Sequence, residues 1–207
     1  MAFTFFFRDL DTLMLAVRHL IPDASGRSRV RIWDAGCAMG QEPYTLAILL
    51  AESMGHFAFR NLQIYATDYD EPLLKILTEG IYPGEELQRI PSEYFNKYFE
   101  PVGGNGSYRI VELIRNCVQA QHHDLLSFKP VRDGFSLIIC KNVLLHFQPH
   151  ERIKVFKMFY EAMEPAGLLA TEHTQKLPDE VSHLFEQVVH DGQLYRKIGA
   201  YRACNER

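Results

Sequence analysis

The run from Trp33 to Tyr44, WDAGCAMGQEPY, gathers the residue types best suited to hold a small ligand. Asp34 closes an apolar stretch, Gly36 and Gly40 flank a turn, and Pro43 suits the first turn of a helix. Glycine reaches backbone conformations closed to other residues and lets a ligand approach the main chain. A dinucleotide site usually shows G-x-G-x-x-G, which closes on a pyrophosphate. Here Ala38 stands at the middle position, and the G-x-x-x-G spacing favours a ligand without a pyrophosphate. S-adenosylmethionine is such a ligand, with a carboxylate, an ammonium, a sulfonium, a ribose diol and adenine. Asp68, in ATDYD, supplies the second half of the pattern. A carboxylate at the end of the next strand can accept both ribose hydroxyls. Asp34 and Glu42 add negative charge where an ammonium and a sulfonium would sit. Each acid alone reads equally well as a helix cap or an exposed turn. The glycine turn with an acid at the following strand end reads as a nucleotide or S-adenosylmethionine site, a combination many α/β proteins share.

These residues need a frame that brings strand ends together. Residues 10–20 (LDTLMLAVRHL) carry apolar side chains at helical spacing, and Pro22 with Ser25-Gly26 ends that helix. Residues 29–34 read as a strand, 43–54 as a helix stopped by Gly55, and 62–67 as a second strand ending at Asp68. Residues 71–79 form a short helix stopped by Gly80, and FSLIIC (135–140) is a buried central strand by composition. Residues 149–164 form an amphipathic helix with Ile153, Phe156, Phe159, Tyr160 and Met163 on one side. Pro165 and Gly167 break it before a strand at 167–171. Asp191-Gly192, between two strand-like runs in 184–198, signals a hairpin. The alternation predicts an α/β fold, a doubly wound, mostly parallel sheet with a C-terminal antiparallel hairpin. Residues 81–123 break it: a polar helix around 91–98, the segment 98–102 and the Gly103-Gly104-Asn105-Gly106 turn read as a small β insertion within one domain spanning 1–207. Such an excursion is either a solvated loop or a recognition element.

Composition narrows the function classes. The chain has 207 residues and a formal net charge of −4, which argues against a general nucleic-acid binder. No stretch approaches the roughly 20 apolar residues that span a bilayer, and no secretory signal follows Met1. Cys37, Cys117, Cys140 and Cys204 show no CxxC pair and read as free thiols in a reducing, cytoplasmic compartment. His122-His123 lacks further ligands at zinc-site spacing, so no metal is expected.

Several motifs, in order, resemble the chemotaxis-receptor methyltransferases of the CheR type. Thr4-Phe5-Phe6-Phe7-Arg8-Asp9 is similar to that family's T-x-F-F-R-D/E. Ala35 to Tyr44 is similar to A-G-C-S-x-G-E-E-P-Y, Ala66-Thr67-Asp68-Tyr69-Asp70 to A-T-D-I-D, and Gly80-Ile81-Tyr82 to G-x-Y. Asp124-Leu125-Leu126 stands where the family has N-L-L, and CKNVLLHF (140–147) resembles C-R-N-V-L-I-Y-F. The match runs from residue 4 to about residue 198, and the combination is specific where G-x-x-x-G alone is weak.

The resemblance implies a Rossmann-like, class I S-adenosylmethionine-dependent methyltransferase of bacterial chemotaxis, with S-adenosylhomocysteine as product. Thr4 and Arg8 would line the cofactor and the reacting end. Gly36, Glu42 and Asp68 would hold the methionine and ribose parts, Asp124 and Leu125 would flank adenine, and Lys141 and Asn142 would close the pocket. The family esterifies glutamate side chains of receptor helices, and the 81–123 insertion resembles its small β subdomain, which some members use to dock a receptor tail. A glutamate with a pKa of about 4.3 is already ionised at neutral pH, so no strong base is required. The enzyme aligns carboxylate oxygen, methyl carbon and sulfur, and Arg8 is the candidate to hold the carboxylate through two donors. His146 replaces the usual Tyr; it can donate a similar hydrogen bond or act as base for a different acceptor. Gln41 replaces an acid, Asp124 an Asn, and Lys141 an Arg, which keeps charge but loses the planar fork. The chain begins almost at the T-x-F-F-R motif, so a short member lacking the family's N-terminal helical domain is expected. Two alternatives stay open: a methyltransferase on a different small or protein acceptor, and a non-catalytic S-adenosylmethionine-binding module. Oligomeric state is not legible.

Overall fold

The computed structural model describes residues 4–24, 26–172 and 176–199. Ser25 and Cys204 lie outside the described residues. The chain runs α1 (Leu10–Ala24), β1 (Val30–Ala35), α2 (Gln41–Ser53), α3 (His56–Phe59), β2 (Leu62–Asp68), α4 (Glu71–Glu79) and β3 (Ile81–Pro83). There follow α5 (Ser92–Tyr98), β4 (Phe99–Val102), β5 (Ser107–Ile110), α6 (Glu112–Arg115), β6 (Val118–His122) and β7 (Phe135–Cys140). The last elements are α7 (Pro149–Ala162), β8 (Met163–Thr171), α8 (Asp179–Ser182), β9 (Phe185–Gln187) and β10 (Leu194–Lys197).

Seven strands form one sheet in the order β6-β2-β1-β7-β8-β10-β9. The first five are parallel to one another, and β10 runs antiparallel to both β8 and β9. This is the expected doubly wound sheet with its terminal hairpin. The chain builds outward from β1 through β2 to β6, then returns across β1 to place β7 on its other side. The crevice at the carboxyl ends of β1, β2 and β7 is therefore a topological switch point, where open α/β sheets bind ligands.

Side-chain alternation along β1 explains the layering. Val30 and Ile32 join the core under α1 and α2, while Trp33 and Ala35 join the core under α7. In β7, Leu137 and Ile139 face the first core and Ile138 and Cys140 the second. Every residue of β7 is buried, as a central strand covered on both faces must be.

A second, three-stranded antiparallel sheet has the order β3-β5-β4. Residues 118–122, expected within the insertion, pair instead with β2 in the large sheet, from Ile64↔Val118 to Asp68↔His122. The half-polar run VQAQH suits an edge strand: Gln119 and Gln121 are exposed while Val118 and Ala120 pack on the core. The expected helix over 149–164 ends at Ala162, and its strand begins at Met163, ahead of the expected 167. Met163 pairs with Phe135, and the register then shifts before Leu137 meets Leu168. Pro165, which has no N–H, and Ala166, at φ 61°, occupy that irregular stretch.

Candidate functional site

The turn after β1 is fixed by backbone bonds to the end of β2. The amides of Gly36 and Cys37 donate to the Thr67 carbonyl at 2.8 and 3.0 Å, and the Gly40 amide donates to the Cys37 carbonyl at 3.0 Å. Gly36 and Gly40 hold φ of 95° and 96°, where side chains with a Cβ are strained. A Cβ at Gly36 would run into a Val143 methyl, and one at Gly40 would lie 2.7 Å from Leu77 Cγ. Ala38 between them also has positive φ, at 47°.

Asp68 organises the facing side. Its Oδ2 accepts from the Ala38 amide at 2.9 Å and its Oδ1 from the Asp70 amide at 3.0 Å. Each oxygen retains lone-pair capacity for a further donor. Gly36, Asp68 and Val143 line two adjoining cavities. One, of about 440 Å³, is also lined by Thr4, Arg8, Cys37, Ala38, Glu42, Lys141, Asn142, Leu145 and His146. The other, of about 390 Å³, is lined by Thr67, Tyr69, His123, Asp124, Leu125, Leu126 and Phe147. The first is charged; the second is mostly apolar with two carboxylates, Asp68 and Asp124, a lining suited to a flat heterocycle. Asp124 Oδ1 accepts from the Leu126 amide at 2.8 Å, which caps the short turn at Leu125–Ser127.

Every site residue that the resemblance implied lines one or other of these adjoining cavities; Asp34, also expected here, is buried and lines neither. Val143, Phe147, Tyr69 and His123 extend that lining, and Asp9 is tied to it through Lys141. Asp9 stands inside the T-x-F-F-R-D/E motif, so its signal was present; Val143 and Phe147 read as ordinary apolar residues, and only tertiary packing brings them here. His123 meets the Trp33 ring edge-on, with centroids 5.3 Å apart.

Charge is concentrated around one buried cation. Lys141 follows β7, and its side chain is 1 % exposed. Its Nζ lies 2.7 Å from Glu42 Oε2 and 3.2 Å from Asp9 Oδ2. Burial pushes the ammonium down, but Glu42 and Asp9 more than offset it and leave it above the ordinary lysine value. Asp34 is 1 % exposed, and neither carboxylate oxygen has a hydrogen-bond partner. Burial pushes its carboxyl well above the usual carboxylate range; Glu42 and Asp68 push it further up, while Lys141 opposes. Arg8 has a partly exposed side chain with Nε 3.7 Å from Asp9 Oδ2. His146 lies on the exposed rim of the same cavity. Asn142, at φ 59°, donates its amide to Glu172 Oε2 at 3.1 Å.

The sequence profile of the CheR methyltransferase, SAM binding domain, matches residues 2–193. The chain belongs to the CheR methyltransferase family. It is similar to chemotaxis protein methyltransferase 2 of Vibrio cholerae, at 28 % identity over 96 % of this chain and 69 % of that protein. It is also similar to a probable chemotaxis protein methyltransferase of Rhizobium etli, at 27 % identity over 90 % of this chain and 72 % of that one. The chemotaxis protein methyltransferase of Escherichia coli is 30 % identical over 92 % of this chain and 65 % of its own length. The chain thus spans about two thirds of the length of these relatives.

The cofactor is S-adenosylmethionine, and the chain is an S-adenosylmethionine-dependent methyltransferase. The residues fit that group. Gly36 lines both cavities with bare backbone, Asp34 is a buried carboxyl without a hydrogen-bond partner, and Glu42 lines the charged cavity. A net-cationic ligand carrying an ammonium and a sulfonium complements this excess of acid. Among the described residues no helix is long and apolar enough to cross a membrane.

Proposed function

We propose that this CheR family member transfers methyl to a side-chain carboxylate, a glutamate of a chemotaxis or related receptor protein, to give a methyl ester. The observation that carries the reading is the position of Arg8, which lines the charged cavity beside Glu42 and the rim residue His146. An arginine fork is matched to a carboxylate and can hold it through two parallel hydrogen bonds. When bound, S-adenosylmethionine supplies a methyl group already activated by its positive sulfur.

The chain's own residues then have positioning roles. Asp68 receives the ribose hydroxyls, and Glu42 with Asp34 faces the ammonium side. Asp124 and Leu125 flank the adenine, and Thr4, Gly36 and Asn142 shape the wall around the methionine chain. Lys141, clamped between Glu42 and Asp9, bridges those acids and fixes them in place. Arg8 orients and partly desolvates the acceptor carboxylate, and His146 donates to it from the rim. No base is needed, because a glutamate is ionised at neutral pH; alignment and desolvation lower the barrier. The acceptor protein approaches over the rim that carries His146 and Leu145. The place of action that suits this acceptor is the cytoplasm.

The test is transfer of tritiated methyl from S-adenosylmethionine to a panel of receptor fragments and small carboxylic acids, followed by alkaline treatment. Volatile methanol released by base supports an ester. Base-stable label, as on nitrogen, overturns it and favours a reading in which exposed His146 serves a different acceptor as base. Absence of transfer together with tight S-adenosylhomocysteine binding points to a non-catalytic binding module.

A further inference from the structure

Two aromatic residues immediately precede Arg8, and both are gripped by the insertion. Phe6 is fully buried and meets Tyr82 and Phe99 edge-on, with ring centres 4.9 and 5.5 Å apart. Phe7 stacks on Tyr94 at 5.4 Å with planes 3° apart, and its amide donates to Thr45 Oγ1 at 3.0 Å. Tyr82, Tyr94 and Phe99 come from β3, α5 and β4. Phe7 also holds φ at 61°, a conformation bulky residues keep only where their surroundings over-determine it.

The same insertion grips the opposite wall. The Tyr82 hydroxyl donates to the Met39 carbonyl at 2.6 Å, inside the turn between Gly36 and Gly40. A Cβ at Gly40 would lie 3.0 Å from that hydroxyl, so the turn is shaped around it. Gln41 Nε2 reaches Glu86 Oε2, also in the insertion, at 3.4 Å. Burial keeps the Tyr82 hydroxyl protonated and therefore a donor. One side chain thus touches both the segment that carries Thr4 and Arg8 and the turn that carries the cofactor wall.

We propose that Tyr82 is a positioning residue of the methyl-transfer site. Its hydroxyl fixes the glycine turn, and its ring fixes the Phe6-Phe7-Arg8 segment. The small sheet thereby sets the separation between the cofactor wall and the acceptor wall. This rests on the reading above, in which Arg8 faces the acceptor and the crevice holds S-adenosylmethionine. A macromolecule seated on the small sheet is, through Tyr82, mechanically continuous with both walls.

The test compares Tyr82→Phe with the wild type by S-adenosylhomocysteine calorimetry and by amide hydrogen exchange without ligand. Tyr82→Phe removes only the hydroxyl. Its affinity is expected to fall about five- to tenfold, the loss of one buried neutral hydrogen bond. Exchange is expected to speed up at residues 37–41, with the β4–β5 pairs unchanged. Tyr82→Leu also removes the ring and is expected to speed exchange at Phe7 and Arg8 in addition. Unchanged affinity in Tyr82→Phe, or faster exchange spread evenly over the small sheet, makes Tyr82 an ordinary core residue and overturns the proposal. A wild type that fails to bind S-adenosylhomocysteine rejects the cofactor-site reading instead, and the ligand-free exchange experiment still decides the role of Tyr82.

Discussion

Asp68 already accepts two backbone amides before any ligand arrives, so it shapes the turn as well as serving the ribose proposed above. Asp68→Ala is expected to weaken S-adenosylhomocysteine binding by about 2–3 kcal/mol, the scale of hydrogen bonds to a charged group; calorimetry showing unchanged affinity would remove it from the ribose. Arg8→Ala is expected to lower methyl-transfer turnover more than cofactor affinity, because Arg8 is assigned to the acceptor side. A fully active variant would take it away from the reacting end. Asp34 makes a different prediction. Its folded-state pKa is raised, chiefly by burial, with Glu42 and Asp68 adding and Lys141 opposing. The folded protein therefore holds that proton more tightly than the unfolded chain. The contribution to stability is present below the unfolded value of about 3.9 and is lost as pH rises from there through the folded value. Urea unfolding of the ligand-free protein at pH 5 and pH 8 is expected to show a larger loss of stability for wild type than for Asp34→Asn. Equal losses would show that Asp34 does not carry the effect.

At the scale of elements, the turn between β1 and α2 is the most constrained piece of the crevice. Gly36→Ala forces a side chain into a backbone at φ 95° and into the Val143 methyl. Strain of this kind costs about 1–2 kcal/mol before the clash is counted. Gly36→Ala is expected to lower the thermal midpoint and to abolish S-adenosylhomocysteine binding. Retained tight binding would mean that the turn can move away from Val143. The elements with strong local punctuation were the legible ones. α4 keeps its expected span and ends at Gly80, which takes the left-handed conformation at φ 62°. β7 is apolar but for Ser136, and Asp191-Gly192 marks the β9–β10 connection. The start of β8 was not legible, because Met163 and Glu164 continue the amphipathic helical pattern up to Pro165 and only pairing with Phe135 pulls Met163 into the sheet. β6 was hidden for the opposite reason. Its alternating glutamines resemble a surface excursion until β2 supplies a partner strand. In the crevice, Gly36, Glu42 and Asp68 were readable from type and spacing at strand ends. Asp9 as a partner of Lys141, and Tyr82 as a partner of Met39, depend on contacts between distant segments, which spacing alone does not encode.

For the whole molecule, ligand binding and folding are linked because the crevice is assembled from the N-terminal segment, β1, β2 and β7 together. S-adenosylhomocysteine at 100 times its dissociation constant adds about 2.7 kcal/mol to stability. For a chain of this size that corresponds to a rise of roughly 5–10 °C in the thermal midpoint. A thermal scan with no shift at saturating ligand would contradict the assignment of the crevice. The sheet order carries one more consequence, for the chain as it leaves the ribosome. β1 is an interior strand of the finished sheet, yet Ile32 and Trp33 wait for Leu137 and Ile138 to cover their second edge. During synthesis β1, β2 and β6 can form a half-sheet whose open edge is its most apolar strand. A nascent chain paused before β7 thus exposes a ready template for strand pairing, and the interval between the emergence of β6 and of β7 is when the chain most depends on chaperones.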